Sequence, residues 1–241
     1  MGNPVVLKPA PTPPVATLQL GAILSDLLPP GVVNVITDAN DLGSYLTSHP
    51  DVAKVSFTGS TATGKKVMAS AGPGLKRITL ELGGNDAAIV LDDADVADIA
   101  PKIFGSAFYN CGQVCLALKR LYVHASVHDA LCDALADLAG RAAVRNGAQA
   151  GVTMGPLISE RHKERVLGYL ERGVAEGARL VVDGRKRALP SDGYFVGPTV
   201  FDQVSLQMSI GREEIFGPVA AVAPAKSVDE VFEMMRLHPQ A

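Results

Sequence analysis

The residues best suited to nucleophilic chemistry are three cysteines, Cys111, Cys115 and Cys132. An odd number in a chain of this length does not suggest a disulfide framework and leaves at least one thiol to work. Cys111 and Cys115 stand four apart, but no second close Cys or His pair completes a zinc set, so no metal is expected. Cys132 lies on an amphipathic helical pattern and reads as an inert small hydrophobe. The histidines are scattered and none pairs by spacing with a Ser or Cys motif, which does not support a hydrolase triad. By residue type alone Glu81, the Glu213-Glu214 pair and Lys8 would be solvated surface groups.

One loop could hold an anion. Gly59-Ser60-Thr61-Ala62-Thr63-Gly64-Lys65-Lys66 follows a strand pattern and opens a helix, so backbone N–H groups and the helix dipole could face a phosphate. Gly-x4-Gly-Lys, with Ala88-Ile89-Val90-Leu91-Asp92-Asp93 as an apolar strand ending in acid, suggests a remote alternative, a P-loop NTPase. That pattern fails at Lys66, where a Ser or Thr must ligate magnesium and a second ammonium would compete with the cation. The dinucleotide fingerprint Gly-x-Gly-x-x-Gly does not occur, and an ordinary strand-to-helix turn is the bland alternative.

The elements that must position these residues alternate. Val5 to Leu7, Val32 to Ile36, Val52 to Phe57 and Arg77 to Leu82 read as strands. Helical patterns near Val15 to Leu27, Asp41 to Ser48 and Gly59 to Ala71 separate them, the signature of a mostly parallel sheet covered by helices. Gly83-Gly84 marks a domain boundary, after which a second α/β pattern begins with a strand at Ala87 to Leu91 and a helix at Val96 to Phe108. Ser126 is expected to start an amphipathic helix with Val127, Leu131, Leu135 and Leu138 on its apolar side and Asp129 near its positive end. Helices at Ser159 to Arg172 and Val228 to Arg236, and strands near Leu180, Tyr194, Val200 and Val219, complete the pattern.

Composition excludes several classes. Hydrophobic residues are 47% and charged residues 20%, with 24 Gly and 16 Pro spread along the chain, which is globular rather than disordered. The formal charge of −3 leaves no basic surplus for phosphate backbones or anionic lipid, so neither nucleic acid nor a membrane surface is an expected partner. No apolar run approaches the roughly 18 residues of a membrane span. The first residues lack the charged-then-apolar layout of a signal peptide, so a cytoplasmic location is expected.

Five segments in order are more specific than any of these features. They are Gly2-Asn3-Pro4-Val5-Val6-Leu7-Lys8-Pro9, Phe57-Thr58-Gly59-Ser60-Thr61, Leu80-Glu81-Leu82-Gly83-Gly84, Gly112-Gln113-Val114-Cys115 and Glu213-Glu214-Ile215-Phe216-Gly217-Pro218. The set closely resembles the aldehyde dehydrogenase superfamily. Pro30-Gly31-Val32-Val33-Asn34, Met154-Gly155-Pro156-Leu157 and Gly193-Tyr194-Phe195 extend the likeness over nearly all 241 residues. The resemblance implies an α/β fold: a partial Rossmann-type cofactor domain, residues 1–83, followed by a nearly complete α/β catalytic domain, residues 84–241. It implies oxidation of a small-molecule aldehyde to a carboxylic acid with NAD or NADP through a cysteine thiohemiacetal and thioester. Cys115 would be the nucleophile and its backbone N–H one donor to the oxyanion. Glu81 would be the general base, with a pKa raised by partial burial. Lys8 would hydrogen-bond the adenosine ribose, Gly59 and Ser60 would face the pyrophosphate, and Leu82 would add a cofactor contact. Glu214 would hold the nicotinamide ribose and Phe216 would pack near the ring.

Members of that superfamily are considerably longer, so the resemblance implies a chain truncated at both ends. The family's side-chain oxyanion donor, an asparagine, would lie upstream of Met1, and an oligomerisation strand would lie beyond Ala241, leaving a homo-oligomer open. Pro11 stands where many relatives carry a ribose-gripping glutamate, which leaves NAD and NADP both open. An unpaired sheet edge and uncovered apolar surface are expected in the first domain. The alternative to an enzyme is a catalytically impaired fragment serving as a non-enzymatic remnant or binding module.

Overall fold

The computed structural model describes residues 2–237 and divides into two compact units, residues 1–82 and 83–241. In the first unit, β1 (Val5–Leu7) and β2 (Val33–Val35) pair in parallel, with Val5 opposite Val33. A parallel pair needs a long return path, and α1 (Val15–Leu27) supplies it. After α2 (Gly43–Ser48), the pattern repeats in β3 (Lys54–Thr58), α3 (Thr61–Ala71) and β4 (Arg77–Glu81), again parallel, with Thr58 opposite Glu81. The expected alternation is present, although these strands form two separate two-stranded sheets among the described residues. Val67 and Ala71 on α3 are buried, and Thr47 on α2 shares a 2.8 Å hydrogen bond with Ser70. By contrast α1 buries no residue, and Val15, Leu18, Ile23 and Leu27 are exposed. The first unit therefore carries the uncovered apolar surface expected of it.

The second unit is built on one sheet in the order β5-β6-β9-β8-β7, comprising β5 (Asp86–Val90), β6 (Leu118–His124), β7 (Arg179–Val182), β8 (Thr199–Asp202) and β9 (Val219–Ala225). All neighbours are parallel except β7 and β8, which run antiparallel with Leu180 opposite Phe201. Helices α4 (Val96–Phe108), α5 (Ala125–Arg141), α6 (Glu160–Ala175), the short α7 (Ser209–Arg212) and α8 (Val228–Arg236) complete it. Leu121, Val123, Phe201 and Val222 of the sheet and Leu131, Leu135, Val166 and Leu170 of the helices are almost wholly excluded from solvent and form one core. On α5 the expected apolar face is realised by Leu131 and Leu135, with Val127 and Leu138 half-buried beside them. Its N-terminus is capped by His124, whose ring accepts from the Ser126 N–H.

Two sequence expectations need correction. The strand expected near Tyr194 is irregular, since the Tyr194 carbonyl accepts from the Leu157 N–H, outside any ladder. Conversely β6, the neighbour of β5 and β9, was not expected. Its Lys119 and Arg120 disguise a strand of which Lys119 to Val123 are all buried. Arg120 is satisfied there by donating from Nε to the Asn85 carbonyl, at 2.6 Å. Among the described residues no helix is long and apolar enough to cross a membrane.

Candidate functional site

The thiol of Cys115 is presented by a turn between α4 and β6. Asn110 (φ 49°), Cys111 (φ 58°) and Gly112 (φ 69°) adopt left-handed conformations in succession. Each non-glycine residue costs roughly 1–2 kcal/mol in that region, so neighbours must hold the turn. Gln113 does so by donating to the Asn110 carbonyl (3.1 Å) and accepting from the Ile158 N–H (3.0 Å). At Gly112 a side chain is excluded by space as well as φ, because a Cβ would run into the Gly217 carbonyl. The result is selective presentation: Cys115 is half-buried, whereas Cys111 and Cys132 are buried. Burial pushes the Cys111 and Cys132 thiols up to about 12, which leaves them unreactive at neutral pH.

Gly83 and Gly84 form the floor beside this turn. A Cβ on Gly83 would strike the Glu214 carboxylate, and one on Gly84 would stand 2.8 Å from the Cys115 carbonyl oxygen. The Gly84 N–H donates to Glu214 Oε1 at 3.2 Å. Burial raises the Glu214 pKa above the ordinary carboxylate range, and the Gly84 hydrogen bond partly opposes it. The second unit thus brings Cys115, Glu214 and the double glycine together.

The segment from Glu213 to Gly217 is held by residues that sequence reasoning missed. His162 Nε2 lies 2.7 Å from the carbonyl oxygen of Phe216, a residue at φ 57°. Arg165 donates to the Glu214 carbonyl (3.3 Å), and the Tyr169 hydroxyl donates to Glu213 (2.7 Å). Lys119, buried in β6, donates from Nζ to the Gly217 carbonyl (2.7 Å) and to the Ala107 carbonyl at the end of α4 (3.0 Å). It fastens this segment to the helix that leads into the Cys115 turn, and burial pushes its pKa down to about 8. No spacing signal could have found these groups, since they come from β6 and α6 and only the tertiary fold aims them.

The first unit carries Lys8, Gly59, Ser60, Glu81 and Leu82. The Gly59 N–H donates to the Glu81 carbonyl at 3.0 Å, tying the turn to the end of β4. Ser60 caps α3 by accepting from the Thr63 N–H (3.2 Å). Leu82 packs over Gly64, where a Cβ would come within 2.6 Å of it. Because α3 starts at Thr61, Gly64 and Lys65 lie inside the helix rather than in a loop that could wrap a phosphate. That geometry removes the P-loop alternative. Lys8 is not a free surface charge, since it donates to Asp38 (2.9 Å) and to the Pro9 carbonyl (3.2 Å) and holds the Asp38 carboxyl below its usual range. Glu81 departs from expectation. As the last residue of β4 it is exposed, not partly buried.

Comparison with known proteins places these features in context. The model of the aldehyde dehydrogenase family matches residues 1–236. A mitochondrial aldehyde dehydrogenase of Leishmania tarentolae is 45% identical over 234 residues, 96% of this chain and 47% of that protein. Among solved structures, the NAD+ complex of an aldehyde dehydrogenase from Bacillus cereus is 40% identical with a TM-score of 0.93, covering 98% of this chain and 48% of that one. A methylmalonate-semialdehyde dehydrogenase from Oceanimonas doudoroffii is 33% identical with a TM-score of 0.95, covering 98% and 49%. The chain spans about half the length of the relatives it matches.

Proposed function

This chain belongs to the aldehyde dehydrogenase family, and we propose that it carries the thiol chemistry of NAD(P)-dependent aldehyde oxidation. The observation that carries this reading is the convergence of the half-buried Cys115, the double glycine and Glu214 in the second unit. The thiolate of Cys115 adds to the aldehyde carbonyl carbon, and the Cys115 N–H donates to the oxyanion that develops. The nicotinamide cofactor, when bound, supplies a two-electron hydride acceptor. Cys115 then carries the acyl group as a thioester, and Glu81 takes the proton of the water that hydrolyses it, returning the thiol and a carboxylic acid.

The residues present suit a dinucleotide. The missing side chains of Gly83 and Gly84 let the Glu214 carboxylate and the Cys115 carbonyl come close to the backbone. Glu214 offers carboxylate oxygens to ribose hydroxyls, and Phe216 an apolar face to the nicotinamide ring. An ammonium has three donors, and Lys8 spends two on Asp38 and Pro9, leaving one for the adenosine ribose. Gly59 and Ser60 at the start of α3 face the pyrophosphate, and Leu82 supports that turn. NAD and NADP both meet these contacts.

A second reading, that the chain keeps these residues without turnover and serves as a remnant or binding module, is favoured by the uncovered apolar face of α1. The two are separated by mapping alkylation of each cysteine against pH, with and without NAD, alongside an assay for aldehyde-dependent NADH. Fast modification of Cys115 alone, changed by NAD and accompanied by NADH formation, supports the enzyme. A cooperative melt with no NADH signal supports the remnant.

A further inference from the structure

A cluster in the second unit takes no part in this chemistry. His128 and Cys132 stand four apart on one face of α5, and Asp202 ends β8 against them. Their ligand atoms lie within 4.8 Å of one another, with His128 Nε2 to Asp202 Oδ1 at 2.7 Å and Cys132 Sγ to His128 Nε2 at 3.8 Å. All three side chains are buried, Asp202 completely. We propose that His128, Cys132 and Asp202 form a binding site for a borderline divalent cation of the zinc type, cross-linking α5 to β8.

The donor set fits that class. Imidazole, thiolate and carboxylate together suit zinc, and three protein ligands leave a fourth tetrahedral position for water. A thiolate and a carboxylate balance two positive charges, so the occupied site is neutral in a place where net charge is costly. The supporting contacts are also in place. His128 Nδ1 is 2.8 Å from Asp129 Oδ1, the carboxylate–histidine arrangement that orients a metal-binding imidazole. The other oxygen of Asp202, Oδ2, is held by Arg179 Nε at 3.0 Å and Gln203 at 3.4 Å, which fixes the carboxylate and leaves Oδ1 turned to the site. The Arg179 guanidinium opposes a metal, but it sits on the far oxygen with its side chain largely in solvent. Asp129 and Asp133 add negative potential beside the thiol.

Without metal, the two ring nitrogens of His128 each face a carboxylate oxygen. Binding exchanges protons for the cation: M²⁺ enters, the thiol gives up its proton and the ligating ring nitrogen any proton it holds to solvent, and no oxidant or reductant is needed. The Nε2 to Oδ1 distance must open from 2.7 Å toward the roughly 3.3 Å separation of two tetrahedral ligands on a radius of about 2.0–2.1 Å.

Cobalt(II) titration of the purified chain carrying Cys115→Ala, which removes the accessible thiol, tests this. The expected result is saturation at one equivalent with a thiolate-to-cobalt charge-transfer absorption, lost in Cys132→Ser and in His128→Asn. Because either variant could fold poorly, the unaltered chain provides a second measurement. Zinc should slow alkylation of Cys132 under mild denaturant at least tenfold while leaving Cys111 unchanged. Absence of the absorption band, its survival in Cys132→Ser, or an unchanged rate at Cys132 would overturn the assignment.

Discussion

Replacement of Lys119 by methionine offers the sharpest test of how the Cys115 turn is held. Met keeps the length of the side chain but removes both donors, stranding the carbonyls of Ala107 and Gly217 in a buried position. Each stranded acceptor costs about 1–3 kcal/mol, a loss that does not change with pH. The ammonium contributes a second, pH-dependent quantity. Burial lowers its pKa from 10.5 to about 8, so the folded state binds this proton less tightly than the unfolded one. The resulting penalty is fully present below pH 8 and disappears as pH rises toward 10.5, because the unfolded chain then holds the extra proton. For those two values the stability gained between pH 8 and 9 is about 1 kcal/mol. The buried thiols of Cys111 and Cys132 act in the opposite sense above pH 9, where the unfolded thiols ionise first. Both chains carry these thiols, so the difference between them from pH 7 to 9 isolates the lysine. Urea unfolding of the wild-type chain and Lys119→Met, followed by circular dichroism, should show the wild-type advantage growing by about 1 kcal/mol between pH 8 and 9. A difference that stays flat over that range would mean that Nζ is hydrated and does not clamp the two carbonyls. In the same variant, NAD should no longer alter the rate of Cys115 alkylation, because the Gly217 carbonyl and the Glu214 to Phe216 segment ahead of it lose their anchor.

The remaining tests address the chemistry and its floor. Cys115→Ser should abolish aldehyde oxidation, and activity retained in a coupled NADH assay would rule out the thiol mechanism. Glu81→Gln should slow thioester hydrolysis more than hydride transfer, so rapid-mixing traces should keep an NADH burst while the steady rate falls, on the order of 10²–10⁴-fold for loss of a general base. An unchanged burst together with an unchanged steady rate would exclude Glu81 as the base. Gly83→Ala drives a methyl into the Glu214 carboxylate, the far end of a flexible side chain that can turn aside, so it should cost less than about 1 kcal/mol of stability while weakening NAD binding. Calorimetry showing wild-type affinity would mean that Glu214 does not contact the cofactor.

Much of the fold was legible because it rests on local patterns. The apolar spacing of Leu131 and Leu135, the alternation of the first four strands and the helix from Val96 to Phe108 each follow from residues that are neighbours in sequence. β6 was not legible for a physical reason. A strand buried on both faces normally advertises itself as an unbroken apolar run, and Lys119-Arg120 interrupts this one with two charges. Those charges are tolerable only because carbonyls of Ala107, Asn85 and Gly217, 12, 35 and 98 residues away in sequence, are aimed at them. The strand near Tyr194 failed in the converse way. Its aromatic and β-branched residues suit a pleated surface, but its carbonyl pairs with Leu157 instead of a ladder.

The candidate site divides along the same line. Cys115 and Glu214 could be singled out because their segments resemble a known family, Glu214 reading by type alone as a surface group, whereas the groups that hold them could not. Gly83 and Gly84 are an intermediate case, since a double glycine signals close approach without saying of what. The structure answers that they make room for the Glu214 carboxylate and the Cys115 carbonyl. His162, Arg165 and Tyr169 sit on a helix that reads as an ordinary amphipathic element, and their partners Phe216, Glu214 and Glu213 lie more than forty residues away. A positioning group is defined by the backbone atom at which it is aimed, and that atom has no side-chain identity for a sequence to record. Local pattern therefore reveals reactive residues before it reveals the residues that make them reactive, and substitutions at Lys119 or His162 should impair the site without altering any residue that a motif would name.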